Sequence, residues 1–170
     1  MKLDLKPLAQ QPGEVLPFAL QMDLSHMEWN GAKPFAQPIC VKGQVSNRAG
    51  ALELKARLDT VLSLTCDRCA KPFQRRKSLD CQTLLAFELA NGESDDIVEL
   101  NREGELELDG LMQEVFLLEM DTKNLCSQDC KGLCPGCGVD LNLEKCRCKR
   151  ETDPRLAVLA QLLEPEEPEQ

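Results

Sequence analysis

The stretch Cys126-Ser-Gln-Asp-Cys130-Lys-Gly-Leu-Cys134-Pro-Gly-Cys137-Gly138, followed by Cys146-Arg-Cys148, is the most informative part of the chain. It holds six of the ten cysteines and few apolar residues with which to build a core. A Cys-x-x-Cys loop that turns on glycine directs two thiolates at one point, as tetrahedral zinc requires. Cys134 and Cys137 have this form, and Cys146 and Cys148 supply a second pair. Four thiolates leave no open coordination position, so the pattern predicts a structural zinc ion.

Another Cys-x-x-Cys pair, Cys66 and Cys69, lies well upstream, and two partitions of the thiols are compatible with the spacing. In the first partition, Cys66 and Cys69 join Cys126 and Cys130 around a second zinc ion. In the other, only the C-terminal site holds zinc, and Cys66 and Cys69 are reduced thiols near it. The three-residue spacing between Cys126 and Cys130 is looser than Cys-x-x-Cys, which favours the C-terminal site. The expected cofactor is therefore structural Zn²⁺, as one ion or two.

Disulfides and an iron–sulfur cluster are the alternatives to zinc. The chain opens without a recognisable secretory signal, so we expect a cytoplasmic protein. At 170 residues it can bury an ordinary core without covalent cross-links. Both points favour a metal. Cys40 and Cys81 stand alone in strand-like runs and are expected to be small buried apolar residues.

Charge is distributed unevenly along a chain whose net charge is −9. Residues 88–121 hold 12 acidic side chains and one basic one, whereas residues 67–77 hold five basic side chains and one acidic one. An RNA could contact only the basic zone, and the acidic zone would suit a basic protein. A solvated surface without a partner explains the charges equally well. The candidate RNA-binding residues are Arg68, Lys71, Arg75, Arg76 and Lys77.

The alternation of apolar and polar residues predicts an α+β protein built on an antiparallel β-meander or open barrel of five to seven strands. Residues 1–20 are expected to be extended, because Pro7, Pro12 and Pro17 disfavour helix. Cys66 and Cys69 should form the tip of a hairpin. The strand-like segments comprise residues 18–24, 38–46, 51–58, 61–65, 73–79 and 83–89, and residues 97–100 and 105–108 are short strand candidates.

Two helices are predicted around the cysteine segment. Asp109 can cap a helix over residues 110–120 that is apolar nearly all round and should be buried against the sheet. Asp153 and Pro154 begin a short last helix. The predicted organisation is a β-rich core over residues 1–122, a zinc-knuckle segment with its terminal helix over residues 123–163, and a disordered acidic tail over residues 164–170.

An enzyme is not expected from this sequence. His26 is the only histidine, so neither a three-histidine metal site nor a Ser-His-Asp triad can be assembled without it. A redox Cys66/Cys69 pair would be expected at the start of a helix, whereas its flanks here resemble strands. The chain contains no apolar run of 18 residues, so no membrane partner is expected. No phosphate-binding loop or other small-molecule substrate site is visible.

Two motifs resemble one known family. The hairpin Leu62-Ser-Leu-Thr-Cys-Asp-Arg-Cys-Ala-Lys-Pro-Phe73 is similar to the signature of the YceD family, the large ribosomal RNA subunit accumulation proteins. The run from Leu125 to Leu143, with Cys146-Arg-Cys148 and Asp153-Pro-Arg-Leu156, is similar to the metal-type ending of its bacterial members. The resemblance extends from the meander to the last helix.

The resemblance implies a non-enzymatic ribosome biogenesis factor that helps large-subunit ribosomal RNA to accumulate, during precursor processing or early assembly. Family members tend to be encoded beside a small large-subunit ribosomal protein. The expected partners are therefore precursor ribosomal RNA or a large-subunit ribosomal protein. The alternative is a zinc-stabilised protein-interaction module that does not contact RNA.

Overall fold

The fold is a five-stranded sheet with one helix against it, in a computed structural model that describes residues 1–88 and 97–148. The sheet has the order β2-β3-β4-β5-β6, and β1 pairs with β7 in a separate two-stranded sheet. The elements in chain order are β1 (Lys2–Asp4), α1 (Lys6–Ala9), β2 (Val15–Met22), β3 (Ile39–Arg48), β4 (Ala51–Thr65), β5 (Pro72–Ala86), β6 (Ile97–Glu99), β7 (Glu105–Glu107) and α2 (Leu108–Leu118).

The long hairpin of β4 and β5 carries the first cysteine pair at its tip. It runs antiparallel from the Leu52–Leu85 pair to the Thr65–Pro72 pair. Alternate residues of β4, including Leu54, Leu58 and Leu62, are buried in the core. Side chains point alternately to the two faces of a strand, so the intervening residues of both strands form an open face. The predicted meander and the hairpin position of Cys66 and Cys69 are confirmed.

The prediction of a purely antiparallel sheet was wrong at its last strand. β6 pairs in parallel with β5, with Leu84 opposite Ile97. Alternation reveals which face a side chain occupies but carries no information about strand direction. The described sheet is open rather than closed into a barrel, because β2 and β6 are its two edges.

The first segment also departs from the prediction of an extended entry. The short helix α1 includes Pro7 in its first turn. Proline is tolerated there, because the amide that it lacks has no partner within the helix. The Asn47 side chain then donates to the carbonyl oxygens of Leu8 (2.9 Å) and Ala9 (3.0 Å), which ties α1 to β3.

Helix α2 packs one face on the sheet and leaves another exposed. Its ring of Phe116 meets Phe35 edge-on, with centroids 6.2 Å apart. Burial all round was wrong, because Leu118 is 79 % exposed. The helix begins two residues earlier than predicted, with Glu107 rather than Asp109 at its N-cap position. Asp109 instead forms an ion pair with the amino group of Met1.

The predicted last helix, the acidic tail and the C-terminal end of the 83–89 strand lie outside the described residues. Within the described part, none of the helices combines the length and apolar character needed to cross a membrane. The division of the chain after residue 122 stays a prediction. Within residues 124–148, the cysteine segment contains turns and one isolated β-bridge, between Leu133 and Asp140, and it lies against the tip of the β4–β5 hairpin.

Candidate metal centre

Two loops in the cysteine region share one backbone arrangement. In the first, the amide of Ala70 donates to the Cys66 carbonyl (2.8 Å), and the amide of Cys66 donates to the Lys71 carbonyl (2.9 Å). In the second, Gly138 donates to Cys134 (2.8 Å), and Cys134 donates to Val139 (2.8 Å). Residues 70 and 138 both have a positive φ, at 55° and 73°. Each loop therefore turns back after its second cysteine and presents two thiols on the same side, as a zinc knuckle does.

The C-terminal cluster brings together the four cysteines that the sequence predicted most strongly: Cys134, Cys137, Cys146 and Cys148. Their sulfur atoms all lie within 4.8 Å of one another. The sulfur of Cys146 is 3.1 Å from that of Cys134 and 3.8 Å from that of Cys137. A regular tetrahedron of sulfurs with Zn–S bonds of about 2.3 Å has edges of about 3.8 Å.

The second cluster takes two cysteines from the hairpin tip and two from the C-terminal segment. Cys66, Cys69, Cys126 and Cys130 also place their sulfurs within 4.8 Å of one another. The sulfurs of Cys66 and Cys130 are 3.8 Å apart, and those of Cys69 and Cys126 are 3.7 Å apart. This grouping is the first of the two partitions considered above. The preference for Cys-x-x-Cys spacing gave this cluster too little weight. The hairpin geometry compensates for the looser Cys126–Cys130 spacing.

None of the ten cysteines forms a disulfide. The sulfur–sulfur distances in both clusters exceed the bonded distance of about 2.05 Å. Cys40 and Cys81 are half-buried rather than fully buried as predicted. Burial still raises the pKa of the Cys81 thiol.

Electrostatics within each cluster favour a bound cation. Hydrogen bonds from the Cys146 thiol and from the Cys137 and Gly136 amides lower the pKa of Cys134 to about 6. By contrast, hydrogen bonding with Cys137 and Cys146 raises the pKa of Cys148 to about 12. A first thiolate is thus stabilised by its neighbours, and a second is disfavoured by the first. A divalent ion would remove that repulsion and allow four thiolates to form.

The hairpin-tip cluster shows the same contrast. Burial opposes ionisation of Cys66, but backbone amides that include those of Cys126 and Cys69 outweigh it and lower the pKa of Cys66 to about 6. Hydrogen bonding with Cys130 raises the pKa of Cys126 to about 12. Both donor sets, with four sulfurs each, fit a tetrahedral thiophilic metal ion.

Backbone hydrogen bonds join the two halves of the hairpin-tip cluster. The amide of Asp67 donates to the Asn124 carbonyl (2.8 Å), and the amide of Leu133 donates to the Arg68 carbonyl (2.9 Å). The Arg68 guanidinium donates in turn to the carbonyl oxygens of Cys130 (2.8 Å) and Gln128 (3.3 Å). The hairpin tip and the cysteine segment consequently form one continuous unit.

Three further basic residues that were predicted to contact RNA also hold this unit together. Lys71 pairs with Asp140 at 2.6 Å. Arg75 donates to the Leu125 carbonyl at 2.6 Å. Lys77 is 15 % exposed and donates to the Glu119 carbonyl. Arg75 and Lys77 lie on the core-side face of β5 and reach the segment after α2.

Arg76 is different from the other four basic residues of the hairpin. It is exposed on the open face of β5, opposite Val61. Within residues 1–88 and 97–148, it has neither an ion pair nor a hydrogen bond through its side chain. Counting charges along the sequence could not distinguish Arg76 from the other four basic residues.

Asp140 and Asn142 are site residues that sequence reasoning missed. Lys71 lowers the pKa of the Asp140 carboxyl to about 2. The Asn142 side chain accepts from the Lys131 amide (2.8 Å) and donates to the Cys130 sulfur (3.5 Å). The signal was available in the polar Asp-x-Asn run after the Cys134 knuckle, because such residues commonly orient metal ligands.

The fold and the two sulfur clusters define a β-sheet protein with two four-cysteine groups whose geometry could hold a metal ion. The family model for the large ribosomal RNA subunit accumulation protein YceD matches residues 54–163. This match covers the hairpin and both cysteine clusters. The chain belongs to the YceD family.

Curated relatives extend the comparison. The chain is 33 % identical to an uncharacterized protein of Mycobacterium tuberculosis over 104 residues, covering 59 % of this chain and 50 % of that protein. It is 27 % identical to the chloroplastic large ribosomal RNA subunit accumulation protein YCED homolog 1 of Zea mays, covering 72 % of this chain and 52 % of the maize protein. It thus spans about half the length of these two relatives.

A third relative matches over nearly its whole length. The uncharacterized protein YlbN of Bacillus subtilis is 24 % identical over 166 residues, covering 96 % of both chains. No solved structure matches the chain.

Proposed function

We propose that this protein is a non-enzymatic factor that promotes the accumulation of large-subunit ribosomal RNA. Family membership carries the proposal, because the family model and the maize relative are both named for that role. The described site supports a structural rather than a catalytic use of the cysteines. All eight thiols are taken up in two four-sulfur groups, so a metal held there keeps no position for a substrate.

The proposed metal is zinc, at two ions per chain. Zinc is the common occupant of tetrahedral four-cysteine sites and needs no redox partner. Elemental analysis of the purified, reduced protein should give two zinc ions per chain. A result of one zinc ion per chain would mean that a single four-cysteine group holds zinc. A result of iron together with sulfide would mean that an iron–sulfur cofactor is bound instead of zinc.

The proposed RNA contact is the open face of the sheet rather than the whole basic hairpin. Four of the five hairpin cations have partners in the protein. The open face, however, carries a groove of about 600 Å³ whose walls include Lys42, Lys55, Arg57 and Asp80. Lys55 and Arg57 are paired with carboxylates, whereas Lys42 forms no ion pair within residues 1–88 and 97–148. Lys42 and Arg57 are cross-strand neighbours, and Arg76 lies further along the same face. A surface of this kind would contact phosphates without reading sequence.

A binding assay with a large-subunit ribosomal RNA fragment tests this contact. Lys42→Glu and Arg76→Glu should weaken binding and lower the slope of log affinity against log salt by about one unit for each lost phosphate contact. Lys33→Glu is the matched control, because Lys33 is 61 % exposed and lies in the loop before β3. Equal binding by all variants would refute the RNA contact.

A cellular measurement tests the function itself. In a strain lacking the gene, the ratio of large-subunit to small-subunit ribosomal RNA should fall, and the wild-type chain should restore it. A variant that lacks Cys134 and Cys137 should not restore this ratio when it is produced at the level of the wild-type chain. An unchanged ratio in the deletion strain would contradict the proposed function.

A second candidate is a zinc-stabilised interaction module without RNA contact. The internal use of Arg68, Lys71, Arg75 and Lys77 favours it, because it removes most of the basic zone from the surface. Isolating the complex from cells with and without nuclease separates the two candidates. Ribosomal proteins that remain bound after nuclease treatment support the interaction module.

A further inference from the structure

An exposed apolar strip lies between the end of β5, strand β6 and helix α2. Leu118 is 79 % exposed and Leu84 is 44 % exposed. Together with Val98, Leu111 and Val115, which are partly exposed, they line a groove of about 490 Å³. Contiguous apolar surface on a protein commonly marks a binding site. The strip needs a partner with apolar side chains.

Acidic side chains surround this strip. A second groove of about 410 Å³ continues from the first and shares Val98, Leu111 and Glu114 with it. The walls of the two grooves carry five carboxylates and one ammonium group: Glu53, Glu99, Glu105, Glu107, Glu114 and Lys2. Two of these carboxylates are paired: Glu105 with Lys2, and Glu53 with Arg48 and Lys55. Glu99, Glu107 and Glu114 form no ion pair within the described residues.

We propose that this acidic apolar groove, formed by β6, β7, α2 and the end of β5, binds a basic amphipathic segment of a partner protein. Apolar side chains of the segment would cover Leu118 and Leu84, and its lysines or arginines would face Glu99, Glu107 and Glu114. Helices with one apolar face bind grooves in this way. Complementary charge speeds the encounter and excludes acidic partners.

The charge of the groove decides against the other kinds of occupant. RNA phosphates would meet five carboxylates and one ammonium group. A second copy of this chain would bring another net charge of −9. A basic protein segment is the occupant for which the electrostatic and apolar contributions act together. The inference deepens the proposed function by naming a partner class, since ribosomal proteins are basic, and it is tested on the purified chain alone.

The test uses the full, zinc-loaded chain and a fluorescent synthetic amphipathic helix of lysines and leucines. Two control peptides replace either the lysines by glutamates or the leucines by serines. The lysine–leucine peptide should bind saturably with one peptide per chain, and both control peptides should bind at least about tenfold more weakly.

Paired variants locate the binding. Leu118→Ser and Glu114→Lys should each weaken peptide binding about five- to tenfold, because they remove an apolar anchor and reverse a facing charge. Leu143→Ser and Glu14→Lys are the matched controls, since Leu143 is 73 % exposed in the cysteine segment and Glu14 precedes β2. The controls should bind the peptide as the wild type does.

Each other outcome overturns the proposal. Equal loss in Glu114→Lys and Glu14→Lys would mean that binding follows net charge, and equal loss in Leu118→Ser and Leu143→Ser would mean that any exposed apolar side chain serves; either result excludes the groove. Self-association that Leu118→Ser abolishes would assign the groove to a second copy. An RNA oligonucleotide that displaces the peptide from the wild type, and that itself binds Leu118→Ser more weakly than the wild type, would assign the groove to RNA. Binding that appears only after residues 155–170 are removed would assign it to the chain's own C-terminal segment.

Discussion

At the scale of single residues, alanine substitutions at two glycines of the cysteine segment should distinguish the cost of backbone strain from the cost of a steric clash. Gly132 and Gly138 have φ values of 77° and 73°. A Cβ at residue 138 meets nothing within 4 Å, whereas a Cβ at residue 132 would lie 2.8 Å from the Arg68 carbonyl oxygen. Gly138→Ala should cost about 1 kcal/mol of unfolding free energy, from strain alone. Gly132→Ala should cost more, because the contact with Arg68 must also open.

Urea unfolding of the zinc-loaded variants measures both costs. The two substitutions are chemically identical, so each controls for the strain in the other. Equal losses would contradict the close approach between the cysteine segment and the hairpin tip. A larger loss for Gly138→Ala would show that the second knuckle is the tighter part.

Asn142 provides a second prediction at this scale. Its side chain donates to the Cys130 sulfur and accepts from the Lys131 amide. Asn142→Ala should weaken zinc binding at the hairpin-tip cluster about ten- to hundredfold, as other losses of ligand-orienting partners do. Competition with a chromophoric chelator gives the affinity. Asn124→Ala is the control, because the contacts of Asn124 with Asp67 use its backbone.

The Lys71–Asp140 pair has a defined pH dependence. The Asp140 pKa is lowered from 3.8 to about 2, chiefly by the hydrogen bond from Lys71. The resulting stabilisation is complete above the unfolded pKa of 3.8 and is lost only as the pH falls towards 2. Asp140→Asn should therefore lower the melting temperature by the same interval at every pH from 8 to 5.

The wild-type melting temperature should itself fall over that range as protons compete with zinc for the thiolates. Calorimetry of both proteins at matched pH values separates the two effects. An interval that narrows between pH 8 and pH 5 would mean that Asp140 titrates higher than the ion pair implies.

At the scale of elements, alternation predicted the strands well and their directions poorly. Leu54, Leu58 and Leu62 identified the buried face of β4, because a strand has a period of two. The parallel pairing of β6 depends on how the chain returns to the edge of the sheet, which no local pattern records. Helix α2 begins two residues earlier than predicted, and Asp109 pairs with the amino group of Met1 instead of capping the helix.

Removal of the metal should unfold the cysteine segment and leave the five-stranded sheet folded. The five-stranded sheet has its own apolar core, which includes Leu54, Leu58 and Phe116. Within residues 124–148 of the cysteine segment, the buried residues are Cys130, Gly132 and Cys134, so cysteine supplies the buried side chains there. A strong chelator should therefore increase amide exchange in residues 124–148 and at the hairpin tip, and leave β3 and most of β4 protected.

Hydrogen exchange with peptide-level mass spectrometry measures this difference. Addition of zinc to the reduced apo protein should restore protection. The control is the same chelator with a chain whose Cys40 and Cys81 are replaced by serine, which should behave like the wild type. Loss of protection throughout the sheet would show that the clusters stabilise the whole fold.

At the scale of the whole molecule, cysteine spacing predicted the C-terminal cluster and left the hairpin-tip cluster as one of two partitions, whereas charge counting did not predict the use of the basic residues. A Cys-x-x-Cys loop carries its geometry locally, so Cys134 and Cys137 could be paired from sequence. Whether Arg75 or Arg76 is free depends on which face of β5 packs against the segment after α2. Tertiary packing determines which face that is. The alternation of residues alone does not predict it, because a charged residue can lie on either face.

The two proposed binding surfaces adjoin across β5, because both grooves are lined by Cys81 and Gln82. The first groove carries the unpaired ammonium group of Lys42, and the other is acidic and apolar, so they should bind an RNA and a basic protein segment separately. Lys42→Glu should weaken RNA binding and spare the lysine–leucine peptide. Leu118→Ser should do the reverse. Isothermal titration of each ligand into each variant measures both affinities.

The double variant shows whether the surfaces are independent. If they are, the double variant should lose as much RNA-binding free energy as Lys42→Glu alone and as much peptide-binding free energy as Leu118→Ser alone, each within about 0.5 kcal/mol. Saturation with the peptide should then leave RNA affinity unchanged or raise it, because a basic peptide reduces the nearby negative charge. A peptide that expels RNA from the wild-type chain would mean that one surface serves both ligands.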